Sequence, residues 1–274
     1  MTFKPWLPLH AADVWELGFI LNDGVPISSI EARGGLVVAC GADVHELRPG
    51  AAVWGVHGVP PYDLGSLRLA AVEPRGAKRY AVASAHMVTM FERGEGPGEV
   101  RGFSSSSASL EVTHLAWAGT AGPSALWVLR DDHVLYQMRD DGSGLVAMES
   151  EPLHAIASDE RGVFAMLSLS AGPPRVLLSP DGSRWDLRPL DAEVDLGASV
   201  QLAVAGTAVA LLVDGKYVLL SRTIDEPFAR VPAADLGEDD HGWRMRAIAF
   251  QGSSSDSALF YARSEDDLAR IVRV

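Results

Sequence analysis

A short phrase recurs six times along this 274-residue chain: one polar residue, then three small or mostly apolar ones. It reads Ser29-Ile30-Glu31-Ala32, Arg68-Leu69-Ala70-Ala71, His114-Leu115-Ala116-Trp117, His154-Ala155-Ile156-Ala157, Gln201-Leu202-Ala203-Val204 and Arg246-Ala247-Ile248-Ala249. Successive copies are 39, 46, 40, 47 and 45 residues apart. Self-similarity at such a period marks a fold made by repeating one supersecondary unit. Between copies, short apolar runs are broken by Gly, Pro, Asp and Ser, and helical periodicity is weak. The units are therefore built of strands.

Each phrase leads into a second apolar run, a turn and a third run. In the fifth unit these are Ala208 to Val213, Asp214-Gly215 and Tyr217 to Leu220. Asp-Gly between apolar runs is a strong hairpin signal. In the third unit, Leu126–Leu129 and Val134–Met138 flank Arg130-Asp131-Asp132-His133, and Asp140-Asp141-Gly142-Ser143 precedes a fourth run. Four strands per unit and about 40–45 residues per unit match the blades of β-propellers, WD40 arrays among them. The expected fold is all-β: a single six-bladed β-propeller spanning 1–274, with blades near 27–60, 66–104, 111–149, 152–190, 198–232 and 243–274. The sixth unit is one strand short. Val14-Trp15-Glu16-Leu17-Gly18-Phe19-Ile20 precedes the first unit without a blade of its own. Residues 1–26 are thus expected to close the ring as the outer strand of the last blade, which removes a pair of free sheet edges. A helix starting near Ala11 is the competing reading.

The fourth unit ends in Leu178-Ser179-Pro180-Asp181-Gly182-Ser183-Arg184-Trp185. This resembles the Asp-box turn of sialidase-type propellers, Ser-x-Asp-x-Gly-x-x-Trp, but is one residue short and occurs once. The resemblance implies a structural turn: Asp181 caps backbone amides, Gly182 takes a positive φ and Trp185 packs between blades. It carries no catalytic implication.

The six phrases are expected to form the innermost strands. Their leading residues Ser29, Arg68, His114, His154, Gln201 and Arg246 would then ring one mouth of the central channel. Two Arg and two His converging there would make a local basic spot for a carboxylate, a phosphate or an acidic side chain. The alternative is an ordinary polar channel whose charges pair internally, with Glu31 neutralising Arg68 or Arg246. A register slip of one residue would turn these side chains to the other face. The acidic loop Asp235-Leu236-Gly237-Glu238-Asp239-Asp240 is expected to be a solvated docking site for a basic partner. It lacks the ligand spacing of a Ca²⁺-binding EF-hand loop. Ser104–Ser107 reads as a flexible connection between the second and third blades.

Composition narrows the function. Lys and Arg total 23 against 36 Asp and Glu, a formal charge of −13. That argues against a nucleic-acid partner and against docking on anionic membranes. The uncharged stretch Leu196 to Val213 is broken by Gly197, Gln201, Gly206 and Thr207. It reads as two buried strands joined near Gly206 rather than a membrane span. The single cysteine, Cys40, permits no internal disulfide and no cysteine-based zinc site. No basic and apolar leader opens the chain, so a cytoplasmic location is expected. Neither Gly-x-Ser-x-Gly nor His-Glu-x-x-His occurs. Sialidases resemble the chain in blade number, but a third arginine and a Tyr–Glu pair find no place in it. The expectation is a non-enzymatic protein-binding scaffold or recognition subunit of a larger complex, without metal or organic cofactor. The alternative is a small anionic-ligand binder, or a glycoside-hydrolase-like enzyme, using the basic ring.

Overall fold

The structure is a computed structural model that describes residues 14–16, 27–31, 36–40, 43–47, 55–58, 69–73, 79–93, 100–107, 109–118, 125–159, 161–168, 173–179, 184–190, 194, 199–232, 244–265 and 268–273. Side-chain surroundings are described for residues within 71–259 of these. Arg68, Asp235, Glu238, Asp239, Asp240 and the Asp181-Gly182 turn lie outside the described residues, as does the side chain of Ser29.

The described strands form six four-stranded antiparallel sheets, and no helix occurs among the described residues. The first sheet holds β2 (Ile27–Glu31), β3 (Leu36–Cys40), β4 (Asp43–Leu47) and β5 (Gly55–Gly58). The second holds β6 (Leu69–Val72), β7 (Arg79–Ala83), β8 (Met87–Arg93) and β9 (Val100–Ser107). The third holds β10 (Val112–Ala118), β11 (Ala125–Arg130), β12 (Leu135–Met138) and β13 (Leu145–Ala147). The fourth holds β14 (Leu153–Ser158), β15 (Phe164–Ser168), β16 (Arg175–Ser179) and β17 (Asp186–Pro189). The fifth holds β18 (Val200–Ala205), β19 (Ala208–Val213), β20 (Tyr217–Ser221) and β21 (Ala229–Arg230). The sixth combines β22 (Arg244–Gln251), β23 (Ala258–Glu265) and β24 (Leu268–Arg273) with β1 (Val14–Glu16). β1 pairs antiparallel with β24, Trp15 opposite Ile271. Residues 14–16 are thus a strand and not part of a helix.

The first strands of neighbouring sheets lie side by side: β2 by β6, β6 by β10, β10 by β14, β14 by β18, β18 by β22 and β22 by β2. Each sheet therefore has both faces covered near its first strand. This explains why β19 is buried at every residue and reads as one apolar run without alternation. The cores lie between sheets. Leu115, Trp117, Leu126 and Val128 of the third sheet pack on Ala81 and Val88 of the second. Ala203, Ala205 and Ala210 of the fifth face Ile248 and Phe250 of the sixth. Alanines at these positions let the sheets approach closely around large partners.

Turns follow the local chemistry. Asp214 and Gly215 both have positive φ, 51° and 65°, the conformation that a two-residue hairpin turn demands. The stretch 196–213 forms β18 and β19, joined through Gly206 and Thr207. Ser104–Ser107 is not a flexible connection. It forms the end of β9, with Ser104 opposite Met90 and Ser107 opposite Met87. An outermost strand has one side open to solvent, so hydroxyl side chains can occupy a strand there.

Candidate mouth of the channel

The start of each first strand is fixed by a bond from the sheet before it. The Val112 amide donates to the Ala85 carbonyl at 2.8 Å, Leu153 to His133 at 2.9 Å and Met245 to Gly215 at 2.9 Å. In each case the acceptor sits in the turn between the second and third strands of the preceding sheet. One repeated bond thus holds each strand start beside its neighbour's hairpin turn.

Immediately after this bond the strands bulge. The pairing skips Ser28 in β2, Thr113 in β10, His154 in β14 and Arg246 in β22. β18 continues in register, with Gln201 opposite Leu212. A bulge leaves its extra residue unpaired and re-aims its side chain. The polar residues of the repeated phrase therefore occupy two positions. His154 and Arg246 are the bulged residues, whereas Ser29 and His114 lie one place further along. Spacing alone cannot separate these positions.

Four of the six ring residues are described with their side chains, and contacts link them along one rim. His114 reaches past the fourth sheet: its Nε2 lies 3.1 Å from the Val200 carbonyl oxygen. A carbonyl only accepts, so the neutral ring carries its proton on Nε2. Gln201, next to Val200, donates from Nε2 to the Arg246 carbonyl. Arg246 itself is exposed. The His154 ring stacks on His133, with centroids 6.1 Å apart. His133 takes a positive φ of 63°, and its Nδ1 lies 3.1 Å from the Leu153 carbonyl oxygen. His133 belongs to this rim although it lies outside the repeated phrase. Its only sequence signal is its place in a turn that must hang over the next strand start.

The charge at the rim differs from a simple count of basic side chains. Burial pushes His114 down to about 4, the Val200 carbonyl opposes this and the nearby His154 adds to it. His114 is therefore neutral at pH 7 and adds no positive charge to the mouth. Among the described residues no group of three or more His, Cys, Asp or Glu side chains is arranged to hold a metal ion.

A second polar device lies at the opposite ends of the first strands. The buried Asp159 carboxylate accepts from the Arg161 and Val163 amides at 2.8 and 2.9 Å. Its other oxygen accepts from the Gly206 amide of the fifth sheet at 2.9 Å. Gly206 has φ +58°, and a Cβ there would meet the Ser253 carbonyl oxygen of the sixth sheet at 2.8 Å. Glycine is required both by the backbone angle and by the close approach.

Four-stranded antiparallel sheets joined through adjacent first strands define a β-propeller. Solved structures agree on the fold. The chain resembles a chain of the mitotic checkpoint complex over 100% of its own length and 98% of that chain, at a TM-score of 0.59 and 11% identity. It resembles YCF48, solved bound to a D1 peptide, over 91% and 77% of the two chains, at 0.53 and 12%. It also resembles the Neurospora crassa Pan2 WD40 domain over 90% and 74%, at 0.53 and 6%. No protein-family model and no curated protein sequence matches the chain.

Proposed function

We propose that the chain is a six-bladed β-propeller, closed by β1 as the outer strand of the last blade, that serves as a non-enzymatic protein-binding scaffold or recognition subunit of a larger complex. The blades are those read from the repeat, near 27–60, 66–104, 111–149, 152–190, 198–232 and 243–274. The pairing of β1 with β24 and the contact of β22 with β2 support the closure.

The observation that carries the protein-binding reading is the fixed rim. Repeated backbone bonds hold the strand starts, and an exposed Arg246 stands on that frame beside the His133–His154 stack. A rigid frame lowers the ordering cost of association. Two of the similar propellers support the same reading, one solved with a peptide and one within a multi-protein complex. In this proposal Ser29, Arg68, His114, His154, Gln201 and Arg246 form the mouth. The loop carrying Asp235, Glu238, Asp239 and Asp240 adds an acidic docking point for a basic partner. The anionic-ligand alternative loses part of its charge with the neutral His114.

The test is purification of the tagged chain from its own cells after mild cross-linking. A protein recovered in fixed ratio, and lost with Arg246→Glu, is the expected result. A chain that purifies alone and turns over an ester or glycoside, with Arg68→Ala abolishing turnover, overturns it.

A further inference from the structure

Large apolar side chains stand exposed at one place on the flank, where the third and fourth blades meet at their outer edges. Leu187 is 56% exposed, Val146 42% and Trp185 38%. Register puts them on facing walls. Val146 of β13 lies opposite Gln137, which lies opposite Trp127 of β11. Leu187 of β17 lies opposite Leu177, which lies opposite Met166 of β15. Trp127 and Leu177 both pack on the apolar core between these blades. Val146 and Leu187 are therefore the outermost members of two rows that converge inward. Trp185, two residues before Leu187, sets its ring edge on Phe164 at 6.2 Å, and Phe164 stacks on Trp127 at 5.6 Å. The result is a cleft with an aromatic floor and aliphatic lips.

Two further observations say what fits it. The first is a free strand edge. β13 is the outermost strand of its sheet, and its residues Leu145-Val146-Ala147 carry neither charge nor proline. Soluble proteins usually guard such an edge with one or the other. Across the cleft β17 carries Pro189, which offers no N–H, so the unguarded edge is that of β13. The second is charge. Arg175 and Glu151 pair with each other at 3.0 Å across the blade boundary. Among the exposed side chains that remain, Asp140, Asp141, Glu149 and Asp186 outnumber Arg139 and Arg184. Hydrogen bonds from Ser143 hold Asp141 below the usual carboxylate range, so it stays ionised.

We infer that the cleft between the third and fourth blades is a docking site for an extended segment of a partner protein that alternates apolar and basic residues and adds as a strand to β13. Strand addition takes its affinity from backbone bonds and its selectivity from alternate side chains. Here one side of the segment meets Val146, Trp185 and Leu187, and the other meets water and the acidic margin. The inference rests on the protein-binding reading but uses a surface apart from the mouth.

The experiment is selection of random linear peptides displayed on phage against the whole chain, followed by affinity measurement on single peptides. Selected sequences are expected to alternate apolar side chains with Lys or Arg. Leu187→Asp and Val146→Asp are each expected to weaken them about tenfold or more, and Arg246→Glu to leave them unchanged. Both cleft side chains are exposed, so an unchanged melting temperature is expected of these variants. In the unaltered chain, bound peptide should slow amide exchange at 145–147. Failure to select any peptide, selection of acidic ones, or binding indifferent to both cleft substitutions overturns the inference. So does a dimer that Leu187→Asp dissociates, since a second copy would then fill the cleft. A natural partner kept by Leu187→Asp but lost with Arg246→Glu refutes the cleft and leaves the protein-binding reading standing.

Discussion

β19 and β17 belong to neighbouring sheets, yet they follow opposite rules. All six residues of β19 are buried and all are Ala, Val or Leu. In β17 only Arg188 is buried, while Asp186, Leu187 and Pro189 face water. The difference is one of position within the sheet. A second strand has a sheet packed against each face, so its side chains must be small, apolar and exactly sized. An outermost strand has lost contact with the adjoining sheets as they fan apart, and its sequence is released from packing. The inner strands therefore supply stability, and the outer ones are free to carry recognition.

The contrast is sharpest for single large side chains. Trp117 is 1% exposed between the second and third sheets, with Arg79 4.9 Å above its ring. Trp117→Ala is expected to cost about 3–5 kcal/mol, the range for emptying a packed aromatic site. Leu187→Ala should change stability by no more than ~0.5 kcal/mol. Urea denaturation of both variants measures the gap. Comparable losses would break the division between inner and outer strands.

The next effect concerns a buried charge that is fully used. Asp159 satisfies three backbone amides and joins the turns of the fourth and fifth sheets. Asp159→Ala strands those amides, at an expected cost of about 2–3 kcal/mol. A thermal melt should also lose sharpness if this bond couples the two sheets. A loss below the measurement error would show that water replaces the carboxylate without cost.

Arg188 is the counter-example, a buried charge that is poorly used. It is 3% exposed, and only its Nη1 has a hydrogen-bond partner, the Ser221 hydroxyl at 3.3 Å. Burial lowers its pKa, against the opposing pull of Asp186, Asp225 and Glu226. Replacing a poorly satisfied buried ion with an apolar side chain of similar volume is often neutral or stabilising. Arg188→Met is expected to leave stability unchanged or raise it by up to ~2 kcal/mol. A clear loss in urea denaturation would mean that the three carboxylates stabilise the guanidinium more than its burial costs.

The same division explains what could be read from the sequence. Inner strands must be small and apolar in every unit, so the repeated phrase stands out, and Asp214-Gly215 announces its own turn. The fold class and the pairing of 200–205 with 208–213 were legible for that reason. Outer strands carry no such constraint. Ser104–Ser107 looks like a linker because an outermost strand needs few apolar residues. The bulges were not legible either, because Thr113, His154 and Arg246 share no chemistry that distinguishes them from the residues on either side. Consequently the mouth was found to within one residue in each strand, and His133 was missed. Its position depends on a turn of one sheet overhanging the next, a contact with no local signature.

The smallest effect expected is a change of slope at the rim. His114 is held at about 4 in the folded chain, against an ordinary value of 6.5. Between these values the unfolded chain binds the proton and the folded chain does not, so stability rises with pH across this window. Put the other way, stability is lost as pH falls from about 6.5 towards 4, and this group adds no further loss below that. Glutamine can donate to the Val200 carbonyl and does not titrate, so His114→Gln should preserve the contact and flatten the slope. The measurement is the melting temperature of both proteins at pH 7.5 and pH 5. A smaller drop in the variant is expected. An equal drop would mean that His114 is as easily protonated in the folded chain as in the unfolded one. The mouth would then gain the positive charge that its burial now denies it, and the anionic-ligand reading would recover its basis.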